Sequence, residues 1–112
     1  MKNGYKNLEN RYKTFPKSAQ VLNMISDLKK AEHFEKTDPD ISKNHILRAL
    51  ILIDYMSDDP KWKNGLRELR IFREAAASLL EGEPYAPLSL LVKTGLTLCP
   101  EAYRQLNPGK PD

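Results

Sequence analysis

His45–Met56 reads HILRALILIDYM. Nine of these twelve residues are apolar or Tyr, and at 100° per residue they point to all sides of a helix. Such a helix needs cover all round, from other helices of the chain or from a second molecule. The stretch therefore predicts an all-α fold with this apolar helix at its centre. Arg48 and Asp54 interrupt the run on different faces. A charge on an apolar helix requires a partner, and an Arg from another helix is the expected partner of Asp54.

On its N-terminal side, Thr37–Ile41 carries Pro39 between two Asp residues, a turn signal. The apolar helix is expected to start near Ser42, a residue suited to an N-cap, and to end around Ser57–Asp59. Before the turn, Val21, Leu22, Met24, Ile25, Leu28 and Ala31 gather on one arc, which predicts an amphipathic helix from Ser18 to Phe34. Residues 1–15 admit two readings, a short helix with Leu8, Tyr12 and Phe15 on one side, or a flexible basic arm.

On the C-terminal side, Asp59 suits an N-cap and Pro60 the first position of a helix expected to reach Glu81, with Gly82 as its stop. Trp62, Leu66, Leu69, Phe72 and Ala76 share one face of it, and Gly65 falls on the same face. A glycine there predicts close approach by a neighbouring helix. Glu83–Pro87 reads as a rigid linker. Leu88–Leu98 (LSLLVKTGLTL) has strand-compatible composition, but its spacing is helical and no partner strand exists, so a helix is expected. Pro100–Leu106 reads as a last short helix and residues 107–112 as a frayed tail. Residues 1–112 thus form a single domain, expected to be a compact four- to five-helix bundle.

A chain of 112 residues suffices for one core. The single cysteine, Cys99, permits no internal disulfide, and the first residues lack the apolar core of a secretory leader. No apolar run approaches the ~20 residues of a membrane span. These features point to a cytoplasmic protein with no membrane role. The net charge is +3 but uneven: residues 1–36 carry +4, 37–59 carry −3, 60–82 carry +2, and the rest balance. A basic segment beside an acidic one suggests internal pairing first.

Motifs that carry chemistry are missing. Asp38, Asp40, Ser42 and Asn44 alternate like the opening of a calcium loop, but the positions of its Gly and its bidentate Glu hold Lys43 and Ala49. His33, His45 and Cys99 lack zinc spacing. The five glycines are isolated, which excludes a phosphate-cradling loop, and Cys99 before Pro100 reads as a small buried hydrophobe. Neither an enzyme nor a cofactor is expected.

Interaction residues are the better candidates. Arg73 lies within the apolar arc of the 60–81 segment, and Arg48 lies among apolar residues near Tyr55. Arginines and aromatics so placed are typical of protein interfaces. Arg48, Asp54, Tyr55, Trp62 and Arg73 are therefore the candidate protein interface, although Trp62 also suits a core. Lys63, Arg67 and Arg70 form a basic stripe opposite the apolar face, a candidate nucleic-acid contact. The run Asp40–Ile51, DISKNHILRALI, loosely resembles the first helix of ribbon-helix-helix DNA-binding proteins. That resemblance implies a dimer with a short strand before the helix, and His33–Pro39 does not read as such a strand. The expected function is a small non-enzymatic interaction module, a regulator, adaptor or subunit that binds protein and self-associates. A nucleic-acid-binding regulator is the alternative.

Overall fold

A computed structural model describes residues 2–106, with side chains from 7 to 105. Its order is α1 (Lys2–Lys13), α2 (Lys17–Phe34), α3 (Pro39–Ser57), a 3₁₀ segment (Pro60–Gly65), α4 (Leu66–Ser78), α5 (Leu88–Leu96) and α6 (Pro100–Leu106). The described residues contain no strand. The all-α expectation stands, with six α-helices among the described residues rather than four or five. The strand that a ribbon-helix-helix protein would need is replaced by the end of α2 and a turn. The expected tail, 107–112, lies outside the described residues.

Within residues 1–15, Lys2–Lys13 form the helix α1. Tyr12 is its anchor, only 3% exposed, with its ring 5.8 Å edge-on to Phe15 and 6.2 Å from Tyr55 of α3. A side chain so enclosed holds the C-terminal end of α1 against the bundle.

The apolar helix starts earlier than Ser42. Asp38 is the cap, its carboxylate accepting the Ile41 N–H at 3.2 Å, and Pro39 takes the first helical position, where no N–H is needed. Ser42 lies inside α3 and is buried, and its hydroxyl donates to the Ala31 carbonyl of α2 at 2.7 Å. The residue read as a cap is a bolt between two helices.

The expected helix from Pro60 to Glu81 is divided. Asp59 does cap it, accepting the Lys61 N–H at 3.0 Å, but the first six residues wind as a 3₁₀ helix. Gly65 marks the change to α4 and is not mid-helix. A Cβ there would meet Trp62 Cε3 at 3.6 Å, an ordinary contact, so no close helix approach explains it. Close approach occurs instead at Gly95 of α5. A Cβ there would overlap Ile25 Cδ1 of α2 and stand 2.9 Å from Phe72 Cζ of α4. α4 stops at Ser78, before Gly82, and the Ser78 hydroxyl accepts the Tyr85 N–H at 2.9 Å as the chain turns back.

α2 packs against α3, α5 and α6, and α3 packs against α1, α2 and α4. The centre is therefore the α2–α3 pair and not α3 alone. Val21, Met24, Leu28 and Ala31 of α2 and Ala49, Ile53 and Met56 of α3 are wholly shielded from solvent. Apolar burial of this kind is the main stabilising term. The cover on α3 is nonetheless incomplete: Leu47 is 47% and Ile51 36% exposed.

Candidate functional site

The uncovered side of α3 has a regular composition. Asn44, Leu47, Ile51, Asp54 and Asp58 recur at alternating spacings of three and four, which places them on one helical stripe. Ile51 sits at the lower edge of the exposed range, and the others are plainly exposed. Leu47 and Ile51 form its apolar middle, and Asp54 and Asp58 its acidic end. Beside it, Leu8 of α1 is also solvent-facing, 41% exposed.

Between α1, α2 and α3 runs a cleft of about 380 Å³. Leu8, Tyr12, Phe15, Ile51 and Leu52 form its apolar lining. Arg11, Asn23, Asp27 and Arg48 supply the polar groups. Asp27 is 6% exposed and accounted for on two sides, by His45 Nδ1 at 3.2 Å and Arg48 Nε at 3.5 Å. The His45 ring stacks on Phe34 at 6.2 Å, which fixes its position. Arg48 itself stays 69% exposed beyond its Nε contact. Arg11 is exposed and enters no ion pair among the described residues.

A second polar cluster, at the end of the bundle, is structural. Gln20 of α2 is completely buried. Its Nε2 donates to the Tyr12 carbonyl at 3.1 Å and to Asp59 Oδ2 at 2.9 Å, and its Oε1 accepts from Trp62 Nε1 at 2.6 Å. The Tyr12 hydroxyl donates back to the Gln20 carbonyl. Lys61 Nζ reaches Asp59 Oδ2 at 2.9 Å and donates to the Lys13 carbonyl at 2.7 Å. One amide thus ties α1, α2 and the 3₁₀ segment, and no buried side-chain N or O among the described residues is left without a partner. Burial works to raise the Asp59 carboxyl pKa, but hydrogen bonds from Gln20, the Lys61 N–H and the Lys61 ammonium together hold it below the ordinary value. Burial, and secondarily the charge of Asp27, pushes the Tyr12 phenol far upward.

The sequence-derived candidates divide accordingly. Asp54 does meet an Arg from another helix: Arg73 of α4 grips it with Nε at 2.6 Å and Nη2 at 3.2 Å. The Asp54 hydrogen bond raises the Arg73 pKa, against a smaller effect of burial. Both side chains are part-exposed, so the pair is a surface clamp between α3 and α4. Trp62 is 1% exposed with its N–H bound to Gln20, so it serves the core and cannot reach a partner. Lys17 Nζ closes over its ring at 4.7 Å. Tyr55 is half-buried against Tyr12. Only Arg48 borders the cleft. Lys63, Arg67 and Arg70 are all exposed, as the sequence implied, and lie in the 3₁₀ segment and α4. Sequence reading missed Gln20 and Asp27, because an isolated polar residue in an amphipathic helix gives no signal of its burial. No helix among the described residues is long and apolar enough to cross a membrane. Comparison with protein-family models, curated proteins and solved structures finds no match for the chain.

Proposed function

We propose that this chain is a small non-enzymatic, cytoplasmic interaction module that binds protein through the outer stripe of α3 and the adjoining edge of α1, and that its first partner is a second copy of itself. One observation carries the reading. Helix α3, with apolar residues on all sides, keeps Leu47 and Ile51 in solvent, with Leu8 beside them. Covering large exposed apolar side chains is favourable by roughly 25 cal/mol per Å². Three such side chains make a small patch, so the association is of the reversible, concentration-dependent class. Light scattering across a concentration series tests this. The mass should rise above the 12.8 kDa monomer, and Leu47→Glu should return it to monomer with helicity unchanged. A strict monomer at every concentration removes self-association.

A second reading has its own observation. Lys63, Arg67 and Arg70 are exposed and enter no ion pair among the described residues, so their charge is open to phosphates. Binding of generic duplex DNA should then weaken steeply with salt, the slope falling by roughly one for each cation replaced by Gln. Absence of binding at low salt excludes it.

A further inference from the structure

The cleft between α1, α2 and α3 has two properties that association through Leu47 does not require: volume and an unmatched positive rim. Its volume of about 380 Å³ lies in the range of small-molecule sites. Leu8, Phe15 and Ile51 offer an apolar wall, of which Leu8 and Ile51 are still solvent-exposed. Three charged side chains line it, two guanidinium groups and one carboxylate. That carboxylate, Asp27, is enclosed and already held by Arg48 and His45. Arg48 applies only its Nε to Asp27, so the four N–H donors of its two terminal nitrogens remain for another acceptor. Arg11 adds a second cation with no ion-pair partner among the described residues. The groove between α4 and α5 is smaller, about 270 Å³, and carries no cation in its lining, so nothing selects an occupant for it.

We propose that the α1–α2–α3 cleft binds a small monocarboxylate with an apolar body. The hydrocarbon part lies against Leu8, Phe15 and Ile51, and the carboxylate accepts from the terminal nitrogens of Arg48, with Arg11 supplementing the charge. A guanidinium suits this role because its planar fork presents parallel donors to a carboxylate. The cleft shares Leu8 and Ile51 with the proposed contact surface but not Leu47, so ligand binding competes with self-association and does not require it.

Calorimetric titration of the full chain tests the proposal with four probes: decanoate, 2-naphthoate, decanol and decylammonium, each below its aggregation concentration. At least one carboxylate should bind with one-to-one stoichiometry, and which one does so tells an aliphatic from an aromatic body. Decanol and decylammonium should bind at least tenfold more weakly than decanoate or not at all. Arg48→Gln and Arg11→Gln should each weaken the carboxylate at least threefold, and together at least tenfold. Ile51→Trp, which fills the cleft while keeping both arginines, should abolish binding. Leu47→Glu, which lies outside the lining, should abolish self-association without weakening the carboxylate, which separates this test from that of self-association. Equal affinity for decanol and decanoate, unchanged affinity in the double Arg variant, or no carboxylate binding up to millimolar concentration overturns the proposal.

Discussion

Gln20 shows how much one buried amide can hold. Both of its N–H donors and its carbonyl oxygen are matched, to Tyr12 of α1 and to Asp59 and Trp62 of the capped 3₁₀ segment. Removing it leaves the Trp62 N–H without its partner in an enclosed site and takes a donor from the buried Asp59 carboxylate, at ~1–3 kcal/mol each. Gln20→Leu is therefore expected to lose about 3 kcal/mol or more in urea denaturation, far beyond an ordinary polar-to-apolar change. The same cluster sets two pH limits. The Asp59 pKa is lower folded than unfolded, so its contribution is full above about pH 4 and is lost as pH falls through the folded value. The Tyr12 pKa is higher folded than unfolded, so its contribution is full below about pH 10 and is lost as pH rises beyond that. Thermal melts should show both flanks. Asp59→Asn should flatten the acid one and Tyr12→Phe the alkaline one; unchanged flanks would place the titrating groups elsewhere. None of this was legible in the sequence. Gln20 has the same apolar neighbours as any residue on an amphipathic helix, and its partners lie 8, 39 and 42 positions away.

At the scale of elements, helix existence was far easier to read than helix ends. Apolar content and spacing located α2, α3 and α5, because burial enforces a pattern along the whole element. The ends depend on single hydrogen bonds. Asp38 outcompetes Ser42 as the α3 cap because Pro39 starts the helix three residues earlier, which frees Ser42 to bond Ala31. Asp38→Ala is expected to cost about 1 kcal/mol. The two glycines give a sharper comparison. Ala at Gly95 gains ~1 kcal/mol of helix propensity, but it meets Ile25 and the Phe72 ring in a filled core, where overpacking costs ~1–3 kcal/mol. Ala at Gly65 meets only an ordinary contact. Gly95→Ala should thus lower stability by up to about 2 kcal/mol while Gly65→Ala does not lower it, the reverse of what the helical wheel suggests. The wheel failed at Gly65 because it assumed one continuous α-helix through a segment that begins as 3₁₀. Arg73→Ala should change stability by about 1 kcal/mol or less, since its pair with Asp54 is part-exposed and solvent-screened.

At the scale of the molecule, the apolar character of HILRALILIDYM announced that α3 would be deeply packed, and most of it is. What the composition did not reveal is which side would stay open. That side follows from where α1 and α4 come to rest, and only the placement of Leu8, Leu47 and Ile51 in three dimensions defines it. Of the candidate interface, Arg48 lies at the rim of the cleft, Asp54 and Arg73 satisfy one another, and Trp62 belongs to the core. The reason is common to all four: an Arg or Trp on an apolar arc has the same sequence signature whether its partner is internal or external. The uncovered stripe of α3 is the proposed contact surface. Amide chemical shifts followed on dilution of the isotope-labelled chain test it most directly. Concentration-dependent shifts should concentrate at Leu8, Leu47, Arg48 and Ile51 and vanish in Leu47→Glu. Shifts that do not change on dilution, or that gather on Lys63, Arg67 and Arg70 instead, would contradict it.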